Sequence, residues 1–172
     1  MNWTSTSVGE QRINQALKTL LTKFKFANDP SPTTLDLLAE LNTRASAEEQ
    51  AYIHKRFAQI TLYDLRAEDI SSEVMANGKY KLSFKVAAKQ MSADGSGIEG
   101  EQDFDEQVEI AMFSGDPNDF AAESTVLYQA LHQLKSRETT LEIELDTLPA
   151  YVGIDPFVRF IDRDTGNNII KL

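Results

Sequence analysis

The chain has 172 residues, enough for one ordinary domain or two small ones, and its 41% hydrophobic and 26% charged residues are the balance of a globular protein. It holds no cysteine, which excludes disulfides, thiolate metal sites and a cysteine nucleophile; its two histidines, His54 and His132, lie too far apart for a paired-histidine zinc motif. The net charge of −10 argues against free nucleic acid as a partner, because phosphate is held by clustered Lys and Arg.

The first seven residues are polar, with no basic segment and no apolar run behind it, so they do not read as a signal peptide. No stretch approaches the ~18 apolar residues of a membrane span, and no direct membrane contact is expected of this chain. The charge is uneven. Residues 1–59 hold seven Lys/Arg against six Asp/Glu, and residues 60–172 hold ten against twenty-one. No basic residue lies between Lys89 and Lys135, where ten acids do. That step predicts two regions, a helical one over 1–59 and a β-region over 60–172.

Ser7-Val8-Gly9-Glu10 fits a capping box, and after it Ile13, Leu17, Leu20, Leu21 and Phe24 recur at spacings of three and four. This predicts a first helix with one apolar stripe. Asn28-Asp29-Pro30-Ser31-Pro32 breaks it, since proline disfavours helix at and before itself. Pro32 suits the first turn of a second helix, with Leu35, Leu38 and Leu41 inward and Leu37 beside them. Ser46-Ala47-Glu48-Glu49 is another capping box and opens a third helix, with Ile53, Phe57 and Ile60 on one face.

Residues 61–74 read as a strand. Asn77-Gly78 predicts a two-residue hairpin turn. Beyond it Tyr80, Leu82, Phe84, Val86 and Ala88 alternate with Lys79, Lys81, Ser83, Lys85 and Ala87, one face buried and one basic. Residues 92–103 read as a Gly- and acid-rich loop. Val108, Ile110 and Met112 form the next strand, with Glu109 facing out. Residues 125–134 fit strand or helix, and their β-neighbours favour strand. Leu141, Ile143 and Leu145 alternate with acids, and residues 151–154, 157–161 and 169–172 supply the last extended pieces. The fold expected is α+β: a short N-terminal helical segment, then an antiparallel β-sandwich of six or seven strands, immunoglobulin-like.

Few residues read as chemistry. There is no His-Glu-x-x-His, phosphate-binding Gly loop or nucleophile elbow. His54 beside Lys55 and Arg56 reads as a surface or packing histidine, and His132 has no partner in sequence. The loop from Asp94 through Asp103 to Asp105 raises a calcium site, since hard cations take clustered carboxylates; its spacing does not fit the helix-loop-helix motif, and a solvated hairpin loop accounts for it better. Asp155-Pro156 reads as a turn start, and Arg163 between Asp162 and Asp164 as an ion-pair partner.

Four phrases in order carry a family resemblance: Gly9-Glu10 with Ile13-Asn14-Gln15-Ala16-Leu17; residues 34–41; Ile60-Thr61-Leu62-Tyr63-Asp64-Leu65-Arg66-Ala67; and Gly153-Ile154-Asp155-Pro156, then Ile161-Asp162-Arg163 and Asn168. Together they resemble the C-terminal end of bacterial proteins that fuse an ABC transporter permease to a gluzincin-type zinc aminopeptidase. The chain departs from that family at Gly166 and Asn167, where acids are usual. The resemblance implies the end of a longer protein, its zinc held upstream by a His-Glu-x-x-His helix and a later Glu, and no cofactor in this chain. Residues 1–59 would be the tail of the helical part beside the catalytic domain, and residues 60–172 the closing sandwich. The partners implied are that catalytic domain and the permease, with a homodimer through exposed helix stripes as a further expectation. The parent would sit in the bacterial inner membrane. Asp155, Pro156, Asp162, Arg163 and Asn168 would form an interface or structural motif. The alternative expectation is a stand-alone adaptor or calcium-dependent binding module.

Overall fold

The computed structural model describes residues 9–26, 31–119 and 124–172. Its elements run α1 (Glu10–Phe24), α2 (Thr34–Thr43), α3 (Ala47–Phe57), β1 (Ile60–Val74), β2 (Tyr80–Ala93), β3 (Glu99–Gln102), β4 (Glu106–Phe113), β5 (Val126–Leu134), β6 (Glu138–Leu145), β7 (Tyr151–Ile154) and β8 (Ile169–Lys171), with a 3-10 turn at Thr165–Asn167. The α+β class holds, with helices first and an antiparallel sandwich after them. Two compact units divide the chain, Met1–Ile60 and Thr61–Leu172. Among the described residues no helix is long and apolar enough to cross a membrane.

In the first unit α2 and α3 are set by their caps. Thr33 accepts the Asp36 amide, and the Asp36 carboxylate accepts the Thr33 amide at 2.8 Å. Ser46 and Glu49 exchange the same pair of bonds. Each box satisfies amides that a helix start leaves without partners. Thr33, not Pro32, therefore opens α2. At α1 the N-cap is Gly9, with no side-chain cap; Ser7 lies outside the described residues, as does Asn28-Asp29-Pro30.

The small core of this unit is Ala16, Leu41 and Ile53, with Ile13, Leu37, Leu38, Ala45 and Tyr52 packed on it. The stripe expected on α1 is thus turned. Ala16 faces inward, while Leu17 and Leu21 are 40% and 70% exposed. Leu35 is 76% exposed, and Phe57 and Ile60 are exposed too, because α3 ends at Phe57 and Ile60 already opens β1. The Arg12 guanidinium pairs with Glu49, and Lys23 lies 3.9 Å from Glu40.

The second unit holds two four-stranded sheets. In the first, β2 lies between β1 on one side and β6 and β3 on the other; β6 pairs with Tyr80 to Ala87 and β3 with Gln90 to Ala93. The second has the order β5-β4-β7-β8. Leu65, Leu82, Phe84, Val86 and Ile143 from the first meet Val108, Ile110, Met112, Val152 and Ile154 from the second in one core. The alternation along β2 is as expected. Lys79 just before β2, and the outward Lys81 and Lys85 on it, do not present a free basic face. Lys79 lies 2.9 Å from Asp146, Lys81 lies 2.9 Å from Glu142, and Lys85 lies between Asp69 and Glu138.

Three local expectations are corrected. The Asn77-Gly78 hairpin is not a two-residue turn: Gly78 N–H donates to the Met75 carbonyl, Met75 N–H donates to the Lys79 carbonyl, and only Gly78 has positive φ, at 82°. A type I′ turn needs both central residues there, so the loop is Ala76-Asn77-Gly78 with glycine in the left-handed position. Residues 92–103 are not all loop, since β2 runs to Ala93 and β3 returns from Glu99. Residues 157–161 are not a strand; they form a loop over the second sheet.

Candidate functional site

The residues that carry chemistry in the second unit gather where β7 ends. Val152 and Ile154 of β7 point into the core, which leaves Gly153 on the opposite face. A Cβ on Gly153 would lie 2.8 Å from Pro156 Cβ and 3.2 Å from Phe113 Cε2, so Pro156 folds back onto the strand only because glycine is there.

Asp155 turns the chain. Its φ is 47°, in the left-handed region that Asp tolerates better than most residues, and Val158 follows at 49°, where a β-branched side chain is strained. The Asp155 amide donates to the Glu109 carbonyl at 2.8 Å and extends the β4–β7 ladder. Its carboxylate is 1% exposed. It accepts the Arg159 amide on both oxygens, at 3.0 and 2.9 Å, and the Phe160 amide at 2.9 Å. Burial pushes the Asp155 carboxyl up to about 6, and Asp162 pushes the same way; the Phe160 and Arg159 amides and the Arg159 charge pull against them.

The loop so formed lays Arg159 on Glu109, with 2.8 Å between guanidinium nitrogen and carboxylate oxygen. Gln129 on β5 donates to the other Glu109 oxygen at 2.6 Å. Glu109 was expected to face solvent. It does stand on the outer face of its sheet, but that face is covered here and Glu109 is only 5% exposed. The apolar Ala111 and Phe113 at the next outward positions are the sequence signal for that cover, and both are buried.

Past the loop, the chain is stitched to β1. Tyr63 N–H donates to the Ile161 carbonyl, Arg163 N–H donates to the Tyr63 carbonyl, and Leu65 N–H donates to the Asp162 carboxylate at 3.0 Å. The other Asp162 oxygen accepts the Asp164 amide. The Tyr63 hydroxyl donates to Glu106 at 2.9 Å, and its ring meets Phe160 edge-on at 4.6 Å. Arg163 pairs with Glu99 at the start of β3. Asp164 caps the 3-10 turn by accepting the Gly166 amide. Asn168 returns the chain, its carbonyl accepting the Ile154 amide at 2.8 Å, while its buried side-chain amide has no hydrogen-bond partner among the described residues.

Asp155, Pro156, Asp162, Arg163 and Asn168 therefore stand in one corner of the sandwich. Asp94, Asp103 and Asp105 do not come together as ligands. Asp94 closes its own turn by accepting the Ser96 and Ile98 amides, Asp105 accepts the Gln133 side chain, and Asp103 is exposed. Among the described residues no group of three or more His, Asp or Glu side chains could hold a metal ion. His54 is exposed on α3. His132 meets the Tyr128 hydroxyl at 2.7 Å through Nε2, and burial lowers the imidazole and raises the phenol. Glu106 and Gln129 carry no signal in the sequence, and Glu109 reads there only as an outward strand position.

The corner is a clamp of carboxylates held by amides, a guanidinium and a side-chain amide, on a β-sandwich that follows three helices. Compared with known proteins, the chain matches no family model and no curated protein.

Proposed function

We propose that this chain is a non-catalytic C-terminal module of the kind that closes bacterial fusions of an ABC transporter permease with a gluzincin-type zinc aminopeptidase. It packs against the catalytic domain and helps shape access for substrate. The observation that carries this reading is the meeting of phrases far apart in sequence. Tyr63 and Leu65 of the Ile60 to Ala67 phrase bond directly to Ile161, Asp162 and Arg163 of the last phrase. Residues that recur together in one family are expected to depend on one another physically, and these bonds support that reading.

The same geometry favours a structural role over a catalytic one. Each oxygen of Asp155 and Asp162 accepts a backbone amide, and Glu109 faces Arg159 and Gln129, so none stands ready as a base or nucleophile beside a reacting atom. Zinc in such a parent is held upstream by a His-Glu-x-x-His helix, a motif this sequence does not carry. Reading the gene upstream of Met1 tests the assignment. A His-Glu-x-x-His codon run preceded by membrane spans is the expected result; an upstream frame without either would refute it. Robust zinc-dependent turnover of aminoacyl-p-nitroanilides by the chain alone would refute the non-catalytic part.

A further inference from the structure

Asparagine stands at eight positions, and only Asn77 is followed by glycine. The pair sits at the tip between β1 and β2, with both residues exposed. That placement joins the reactants of an internal acylation: the Asn77 carboxamide and the Gly78 backbone nitrogen, whose attack on Cγ closes a five-membered ring. Glycine leaves that nitrogen unshielded, and a Cβ built on Gly78 meets nothing within 4 Å. The Lys79 amide donates to Asn77 Oδ1 at 3.0 Å, which sets a donor on the oxygen where negative charge gathers as Cγ is attacked. One contact opposes the reaction. Gly78 N–H donates to the Met75 carbonyl at 2.9 Å, so the tip must open before the nitrogen is free. A short exposed loop opens locally, without unfolding the sheets behind it. Other asparagines are held differently. Asn14 and Asn42 lie in α1 and α2, where the following backbone nitrogen is fixed in a helix, and Asn168 is buried.

We propose that the hairpin tip is a modification site, at which Asn77 converts to aspartate and isoaspartate in the folded protein with water as the co-reactant. Gly78 N gives its proton to solvent base and bonds to Asn77 Cγ. The Cγ–Nδ2 bond breaks, and ammonia leaves with a proton taken from water. Water then opens the imide. Entry at Cγ yields aspartate, and entry at the main-chain carbonyl leaves the chain running through Cγ as isoaspartate. Nothing is oxidised or reduced. Either product adds a carboxylate two residues from Lys79, which already faces Asp146 at 2.9 Å. This stands apart from the assignment above and holds whether or not the parent is a peptidase.

The test ages the full chain in neutral buffer made with heavy-oxygen water and follows its peptides by mass spectrometry. Isoaspartate is read separately, by enzymatic methylation of its free α-carboxylate. Asn77 is expected to convert at least roughly tenfold faster than any other asparagine, since only its neighbour is an unshielded nitrogen. The product should carry one heavy oxygen and be a mixture of aspartate and isoaspartate. Asn77→Gln, which cannot close the five-membered ring, should remove the methylation signal. Val108→Ala weakens the core of the sandwich away from the tip and should leave the rate unchanged. Conversion of Asn77 no faster than that of the other asparagines would overturn the proposal, as would aspartate formed without isoaspartate, which would mean direct hydrolysis. Methylation that survives Asn77→Gln would place the site elsewhere and overturn it too. A rate that rises with the loss of stability in Val108→Ala would tie the reaction to the unfolded chain and overturn its assignment to the folded hairpin.

Discussion

Asp155 offers the sharpest test of the corner. Its carboxyl is buried and shifted from 3.8 to about 6, with burial as the largest cause. The native state then keeps a proton that the unfolded chain gives up between those two values. The stability this group contributes is fully present below the ordinary carboxylate value and is lost as pH rises through about 6. Two pKa units at about 1.4 kcal/mol each make ~3 kcal/mol. Asp155→Asn removes the charge while keeping an oxygen to accept the Arg159 and Phe160 amides. Urea unfolding of both chains, followed by far-ultraviolet circular dichroism over pH 4–8, cancels the other titrations to first order. The difference in stability should move in favour of Asp155→Asn by about 3 kcal/mol as pH rises, mostly between the two pKa values. A flat difference would refute the shift. Movement toward the wild type at high pH would mean that the amides and Arg159 outweigh burial, reversing the stated cause.

Further outcomes follow from other contacts. Gly153→Ala should cost about 1–3 kcal/mol in urea, because the new methyl meets Pro156 and Phe113 and neither can withdraw freely; no loss would mean that the loop does not press on β7. Phe84→Ala, in the centre of the core, should cost about 3–5 kcal/mol, and a loss under about 1 kcal/mol would contradict the β2 register. Arg159→Leu leaves Glu109 buried without its cation and should cost roughly 3–5 kcal/mol, with Glu109→Leu added in the same chain recovering part of it; no recovery would show that the cost is not the stranded charge. Thr33→Ala should cost about 1 kcal/mol of helical-unit stability by thermal melt, and no change would remove the capping box as the reason α2 starts there.

Much of the local structure was legible because its cause is local. The Ser46 box, the period-two pattern of β2 and the acids alternating along β6 depend on residues a few positions apart. The α1 stripe was not. Adjacent leucines at Leu20 and Leu21 are about 100° apart on a helix, so spacing alone allowed either side of the apolar arc to be inner. Packing against Leu41 and Ile53 chose the side with Ala16. Glu109 was misread for a related reason: alternation says which face a residue takes, and says nothing of what lies on that face.

The amino-acid sequence by itself determined the order of elements, the helical start and β-rich remainder, the absence of thiol chemistry, and the charge step near residue 60. These are set by composition, spacing and capping. Only the tertiary structure decided which carboxylates are buried and which residues form a site. The bonds that define the corner join Tyr63 and Leu65 to residues nearly a hundred positions later, and Glu109 to Arg159 fifty positions on. No periodicity or motif spacing encodes such a meeting, because it exists only once β1 and the loop after β7 are laid side by side.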